Sequence, residues 1–228
     1  MIHNVRLANF LTFSEESPDV ELQALNVILG RNGGGKSSFI DAIELLRCAP
    51  DEQAFANVIK RIKAPADWLY MGNDELKPAT LDFVLHNVDE ATTNDYQELL
   101  YSFSLMVEGA ELVISKESLV GITRTEDYIF YSSNDGNPLV RCNNELVEEG
   151  EDKPGPGQTC LSYYTDPKRY PVITSVAREL KKTKMYRNWS FGYDTVIRKD
   201  SYTDLPSDYL NEDFTNLPLV LDKLIKAS

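Results

Sequence analysis

A run of glycines near the start of the chain stands directly against a lysine and two serines. Gly30 is followed by four residues and then by Gly35, Lys36 and Ser37, which gives the spacing G-x-x-x-x-G-K-[ST]. Glycine permits backbone dihedrals that a Cβ forbids, so that successive N–H groups can turn inward around an anion. A lysine ammonium and a serine hydroxyl at these places can reach terminal phosphates and Mg²⁺. The spacing therefore predicts a phosphate-binding loop.

Each member of this pattern has an expected task. The ammonium of Lys36 can neutralise charge on the β- and γ-phosphates of a nucleotide, which makes Lys36 the candidate catalytic residue. The hydroxyl of Ser37 is the candidate Mg²⁺ ligand. We expect ATP and Mg²⁺ as cofactors, and the loop alone leaves GTP open. The expected nucleotide-binding residues are those of the loop and of the first turn after it: Gly30, Arg31, Asn32, Gly33, Gly34, Gly35, Lys36, Ser37 and Ser38.

Such a loop needs a buried strand before it and a helix after it. The apolar segment "LNVIL", residues 25–29, predicts the strand, and "IHNVRLANF" and "VELQ" predict two more strands before it. The segment "KSSFIDAIELLRCA", residues 36–49, has apolar residues at helical spacing and predicts the helix. A second helix is predicted over residues 51–63, with Asp51 as its N-cap.

From residue 79 the pattern changes to the alternation of β-strands. Four segments predict antiparallel strands: "ATLDFVLHN", "LLYSFSLMVEG", "AELVISKESLVG" and "DYIFYSS". Residues 148–158, "EEGEDKPGPGQ", contain three glycines and two prolines, which predicts a loop. Two further helices are predicted, at "YPVITSVARELKKTK", with Pro171 in its first turn, and at "NEDFTNLPLVLDKLIKA".

Composition limits the classes of partner and compartment. The chain has 228 residues and a formal net charge of −13, which does not support DNA binding by the chain alone. The three cysteines, Cys48, Cys142 and Cys160, are far apart and indicate a reducing compartment, and neither a disulfide framework nor a zinc site. No signal peptide or membrane-spanning apolar stretch is evident. We expect a cytoplasmic protein that does not contact membranes.

The segments around the glycine loop resemble a known family. "VRLANFLTF" followed by "LNVILGRNGGGKSSFIDAIELL" is similar to the start of RecF/SMC-like ATPases, a branch of the ABC-type superfamily. Looser similarity extends to a group of predicted bacterial AAA-family ATPases. The segments that carry it are "DWLYMGN", "YSFSL", "MYRNWSFG" and "LNEDFTNLPLVLDKL".

This resemblance implies an α/β fold with α+β character, namely the first lobe of an ABC-type ATPase head. It would contain a Walker A strand, loop and helix in residues 1–63, an antiparallel β-rich region in 64–147, and a Pro/Gly loop with helices in 148–228. It also implies that Gln158 could act as the glutamine that senses Mg²⁺ and the γ-phosphate. The role of Arg31 stays open, because relatives often carry proline there. Leu11 and Thr12 stand where many relatives have a basic residue.

The second half of such a head is not evident in the sequence. "LPLVLDK" imitates a Walker B strand, but Lys223 stands where a glutamate should follow Asp222, and the apolar spacing predicts a helix. "CLSYYTDP" lacks the Gly-Gln of a signature motif. The two histidines, His3 and His86, fall in predicted strands, where a core or surface role is expected. The chain therefore looks like the N-terminal part of a head that needs Walker B and signature elements.

The sequence is compatible with three functions. The first is a RecF/SMC-like ATPase that hydrolyses ATP with Mg²⁺ only when Walker B and signature elements complete it, so that the isolated chain turns over weakly or not at all. Either this sequence is a truncated part of a longer chain, or a homodimer or a partner chain supplies those elements. The second is a non-enzymatic module whose ATP occupancy switches its association with a partner. The third is another P-loop enzyme, such as a small-molecule kinase, which the long run of predicted antiparallel strands disfavours.

Overall fold

One antiparallel sheet organises most of the chain in the computed structural model. Within the described residues it has eight strands in the order β2-β1-β3-β4-β5-β6-β7-β8, and each paired neighbour is antiparallel. The strands are β1 Ile2–Ala8, β2 Val20–Glu21, β3 Ala79–Leu85, β4 Glu98–Glu108, β5 Glu111–Ile122, β6 Tyr128–Asn134, β7 Leu139–Cys142 and β8 Glu145–Glu148.

The structure describes residues 2–72, 75–86, 88, 96, 98–123, 127–134, 138–143, 145–148, 153–187, 195 and 205–227. The segment "MYRNWSFG" lies partly outside the described residues. The chain divides into two units, Met1–Lys182 and Thr183–Ser228. The sheet belongs to the first unit.

Of the five α-helices in the described residues, three begin where the sequence predicts them, at Lys36, Glu52 and Pro171. The five helices are α1 Lys36–Cys48, α2 Glu52–Ile59, α3 Cys160–Tyr163, α4 Pro171–Lys181 and α5 Leu217–Ala227, with a 3₁₀ turn at Pro65–Trp68. The carboxylate of Asp51 accepts a hydrogen bond from the Ala54 N–H at 2.9 Å, so the predicted N-cap of α2 is confirmed. None of the helices among the described residues combines the length and apolarity that crossing a bilayer requires.

The core lies between one face of the sheet and the helices of the first unit. Strand β3 buries alternate residues, among them Leu81 and Phe83, as its period-two pattern predicts. Helix α1 buries Leu45 and Leu46 in the same cluster. Across this layer the Phe55 ring of α2 meets the Phe103 ring of β4 edge to face, at a centroid distance of 6.0 Å.

Two strands were not predicted from the sequence. Strands β7 and β8 have four residues each, and every residue of β8 is exposed, so no alternation of burial marks it. Cys142 pairs with Glu145, so two residues connect the strands. Asn143 has φ 49°, a left-handed conformation that asparagine tolerates in such turns. The dipeptide Asn143-Asn144 was the available signal.

The strand predicted before the glycine loop does not form. Residues 22–30 contain no strand, and Leu25, Val27 and Leu29 are 84%, 75% and 87% exposed. A strand needs hydrogen-bonding neighbours, and the described sheet gives this segment none, since it ends with β2 at that edge. This segment therefore has the apolar sequence of a buried strand, but no strand among the described residues pairs with it.

In the second unit a buried asparagine fixes the start of α5. The side-chain amide of Asn216 donates to the carbonyls of Pro206 and Tyr209 at 2.6 and 2.7 Å, and its oxygen accepts from the Asn211 N–H at 2.8 Å. Phe214 just before it has φ 62°. The helix therefore begins at Leu217, later than the sequence pattern predicts.

Candidate functional site

The glycine loop, residues 30–35, leads directly into α1. Gly35 is the N-cap of this helix, with φ 83° and ψ −3°, and no side chain caps the helix there. The first turn of α1 also carries no acidic residue. The first N–H groups of α1 and its positive dipole end therefore lack the side-chain partners that usually satisfy them. An anion such as a phosphate would be stabilised at this position.

Lys36 folds back over the loop. Its ammonium donates hydrogen bonds to the carbonyl oxygens of Gly30 at 2.9 Å and Arg31 at 2.7 Å. These bonds close a ring that includes the whole loop and keep the ammonium beside the glycines. Both acceptors are neutral carbonyls, which a negatively charged phosphate oxygen can replace at a gain in hydrogen-bond strength.

A tight turn in residues 9–13 braces the loop from the other side. Phe10 and Phe13 exchange backbone hydrogen bonds of 3.0 and 2.8 Å, and Asn9 and Leu11 have left-handed φ values of 55° and 49°. The hydroxyl of Thr12 donates to the Ser38 hydroxyl of α1 at 3.1 Å. Local sequence patterns do not predict this contact, because its partners lie 26 residues apart.

The same turn approaches Gly35 closely. A Cβ at Gly35 would lie 3.1 Å from Thr12 Oγ1 and 3.3 Å from the nearest carbon of the Phe13 ring. On its far side the turn is held by the Leu11 N–H, which donates to the Trp68 carbonyl at 2.9 Å, and by the Asn9 carbonyl, which accepts from Tyr70 at 2.8 Å. The segment "DWLYMGN" thus contributes to the support of the glycine loop.

The remaining predicted site residues differ in their surroundings. Arg31 and Asn32 are exposed, as are Gly30, Gly33 and Gly34. The Ser37 side chain is exposed at the start of α1, whereas Ser38 is only 8% exposed. Thus Ser37 is accessible to a metal ion, and Ser38 is placed to support the turn at residues 9–13.

Gln158 is engaged elsewhere. Its amide nitrogen donates to Glu52 at the start of α2 at 2.7 Å, and its amide oxygen accepts from the Gly155 N–H at 3.0 Å. These bonds tie the Pro/Gly loop to α2. A role in sensing Mg²⁺ would require Gln158 to give up both partners, and this role stays a prediction.

The segment that imitates a Walker B strand is helical, as predicted. Asp222 lies on α5 and pairs with Lys226 at 2.6 Å, one helical turn away. Lys223 pairs with Asp208. This aspartate therefore belongs to a surface ion pair of a helix and does not end a buried strand.

Sequence reasoning missed a buried carboxylate on β5. Glu117 is 4% exposed; it accepts a hydrogen bond from the Tyr101 hydroxyl at 2.6 Å and from the Cys160 N–H at 2.8 Å. Burial raises the pKa of Glu117 to about 7. Burial, with Glu117 beside them, also raises the pKa values of the Tyr101 hydroxyl and the Cys160 thiol. This cluster anchors α3 to the sheet.

Comparisons with known proteins show similarity over part of the chain. Residues 2–58 match the family described as the P-loop containing region of AAA domain. One similar solved structure comes from work on ATP-driven dimerization and DNA-stimulated activation of SMC ATPases; it is 20% identical, covers 54% of this chain and 72% of that chain, and has a TM-score of 0.41. No curated protein matches the chain. Residues 2–58, which contain β1, the glycine loop and α1, are therefore similar to the P-loop region of AAA domains, and the predicted P-loop NTPase fold class is confirmed.

Proposed function

We propose that the chain binds ATP with Mg²⁺ at the glycine loop, as the N-terminal part of a RecF/SMC-like ATPase. The observation that carries this proposal is the left-handed Gly35, which opens an uncapped helix inside a region that matches an AAA P-loop. Backbone N–H groups of the loop and of the first turn of α1 hold the phosphates. Lys36 moves its ammonium from the Gly30 and Arg31 carbonyls to the β- and γ-phosphates, and Ser37 ligates Mg²⁺.

We propose further that the site is completed by sheet partners that carry Walker B and signature elements. Support comes from residues 25–29, whose apolar side chains are exposed although their sequence is typical of a buried strand. Pairing with a neighbouring strand would bury Leu25, Val27 and Leu29 and satisfy the backbone of this segment. Such a strand could come from a homodimer or from a partner chain.

A second function, in which ATP occupancy switches association without hydrolysis, is favoured by one observation. Asp222, the aspartate that comes nearest to a Walker B sequence, lies on the exposed side of a helix and pairs with Lys226. A Walker B aspartate holds Mg²⁺ and orients a water molecule from the end of a strand, and an aspartate within a helix does not have that setting. Binding and association would then be the whole activity of this chain.

Calorimetric titration of the full chain with ATP and Mg²⁺ tests the proposal. We expect Lys36→Ala to weaken binding about 10- to 100-fold, because a charge-assisted contact to phosphate is lost. Lys60→Ala, which removes an exposed lysine after α2, is the matched control and should bind like the wild type. Absence of binding by the wild type at millimolar ATP would refute nucleotide binding.

Phosphate release and sedimentation, measured in the same samples, separate the two functions. We expect little turnover by the chain alone. Association that requires both ATP and Lys36 would favour the switch function, whereas turnover that appears on addition of a Walker B partner would favour the ATPase. Rapid turnover by the isolated chain, abolished by Lys36→Ala, would refute the claim that the site needs completion.

A further inference from the structure

The two histidines of the chain lie side by side at one end of the sheet. His3 belongs to β1 and His86 follows β3, and their imidazole rings stack with a centroid distance of 4.2 Å and an interplanar angle of 25°. A chain of 228 residues contains two histidines only, and 83 positions separate them. The two histidines therefore lie together because β1 pairs with β3.

A carboxylate from the next strand completes the group. Glu98 begins β4 and stands opposite His86, since Leu85 pairs with Leu99. Its Oε1 lies 2.8 Å from His86 Nε2. One donor atom from each of His3, His86 and Glu98 lies within 4.8 Å of the other two. Three neighbouring strands thus contribute one potential ligand each.

A bulge in β1 brings His3 to this group. Val5 and Leu7 are buried on the core face, and strict alternation would place His3 on that face too. The register with β3 shifts between Ile2 and Asn4, so that Ile2 pairs with Leu85. The shift leaves His3 as the extra residue, and its ring turns to the outer face beside His86. Bulges are a common means of redirecting a functional side chain.

We propose that His3, His86 and Glu98 bind a divalent transition-metal ion of the zinc type. Two imidazole nitrogens and one carboxylate oxygen are typical ligands of Zn²⁺, whereas Mg²⁺ and Ca²⁺ prefer oxygen alone. Ligand atoms at about 2.1 Å from a tetrahedral ion lie about 3.4 Å from one another. The His86 and Glu98 atoms are already within this distance. The His3 ligand atom lies within 4.8 Å of both, so it needs to approach by no more than about 1.4 Å.

The site can accommodate this approach and remains open on one side. The His86 and Glu98 side chains are 33% and 35% exposed, so rotation of the rings meets solvent and not the core. Three protein ligands leave the fourth tetrahedral position to water or to a group from another molecule. None of the three residues belongs to the glycine loop, so this site is independent of nucleotide binding.

Labelling of the histidines gives a direct test in the intact protein. The untagged full chain, labelled with ¹⁵N-histidine and stripped of metal, has two labelled residues, and both should shift with stoichiometric ZnCl₂. A tetrahedral site predicts visible absorption bands when Co²⁺ is the probe. Unshifted histidine resonances, or shifts that appear only at millimolar Zn²⁺, would overturn the proposal.

Variants then identify the ligands. Calorimetric titration with ZnCl₂, without nucleotide, should show one site, weakened at least about 10- to 100-fold by His3→Ala or His86→Ala and also weakened by Glu98→Gln. Glu145→Gln, on the exposed strand β8 at the other end of the sheet order, and Cys142→Ser should bind like the wild type. Circular dichroism confirms that each variant is folded. Tight Zn²⁺ binding that survives both histidine substitutions would show that other residues are the ligands.

Discussion

At Gly35 two separate constraints coincide. Its φ of 83° lies in the left-handed region, which costs a residue with a Cβ roughly 1–2 kcal/mol. The space for a Cβ is also limited by Thr12 and Phe13. The sequence motif indicates the first constraint, because the pattern demands glycine there. The second arises only from the packing of the turn at residues 9–13.

We expect Gly35→Ala to lower both stability and nucleotide affinity. The left-handed strain should reduce the free energy of unfolding by about 1–2 kcal/mol, and displacement of Phe13 should disturb the start of α1. ATP affinity should then fall at least about tenfold, since the N–H groups of α1 no longer converge. Denaturant unfolding and calorimetric titration measure the two effects.

Gly109→Ala is a control that shows the effect of left-handed backbone strain without any change at the nucleotide site. Gly109, between β4 and β5, has φ 61° and no atom within 4 Å of the position of an added Cβ. The Gly109→Ala protein should therefore lose a comparable amount of unfolding free energy while it binds ATP normally. If Gly35→Ala also binds ATP normally, the geometry at the start of α1 is not what holds the phosphates.

At the scale of elements, Glu117 connects β4, β5 and α3 through one carboxyl group. Burial raises its pKa from 4.5 to about 7, so the folded protein retains a proton that the unfolded chain has released between these pH values. The contribution of Glu117 to stability is therefore fully present below pH 4.5 and is lost as the pH rises to about 7. The total effect is on the order of 3 kcal/mol.

Glu117→Gln should remove this pH dependence, because an amide does not ionise. As the pH rises from 5 to 8, the wild type should lose unfolding free energy relative to Glu117→Gln. Denaturant unfolding at several pH values measures it, and Glu111→Gln, exposed at the start of the same strand, is the control. A difference that does not change with pH would contradict the raised pKa.

Also at the scale of elements, residues 25–29 and the strands after residue 79 show when an apolar or alternating sequence is sufficient for a strand to form. Strands β3 to β6 form as predicted because each has a neighbour on both sides within the chain. The segment 25–29 has suitable residues but no neighbouring strand in the part of the chain that the structure describes, and it stays exposed. Strand formation is therefore a property of the pair and not of the single segment.

At the scale of the whole molecule, the contacts described around the glycine loop lie within the unit Met1–Lys182. We expect a chain that ends at Lys182 to fold and to bind ATP with unchanged affinity, because the core, the loop and its supporting turn all belong to this unit. Circular dichroism, thermal unfolding and calorimetric titration check this expectation. A loss of ATP binding by a folded 1–182 chain would show that residues 183–228 contribute to the site.

The sequence by itself determined the glycine loop, α1, the cap at Asp51, six strands of the sheet and the helical character of the segment at Asp222. Each of these depends on residues close together in the chain, so spacing and local hydrogen bonding are sufficient to specify them. Tertiary structure decided the Thr12–Ser38 contact, the burial of Glu117, the exposure of residues 25–29 and the meeting of His3 with His86. These depend on which strands pair and in which register, and register is a long-range property that a one-residue bulge can change.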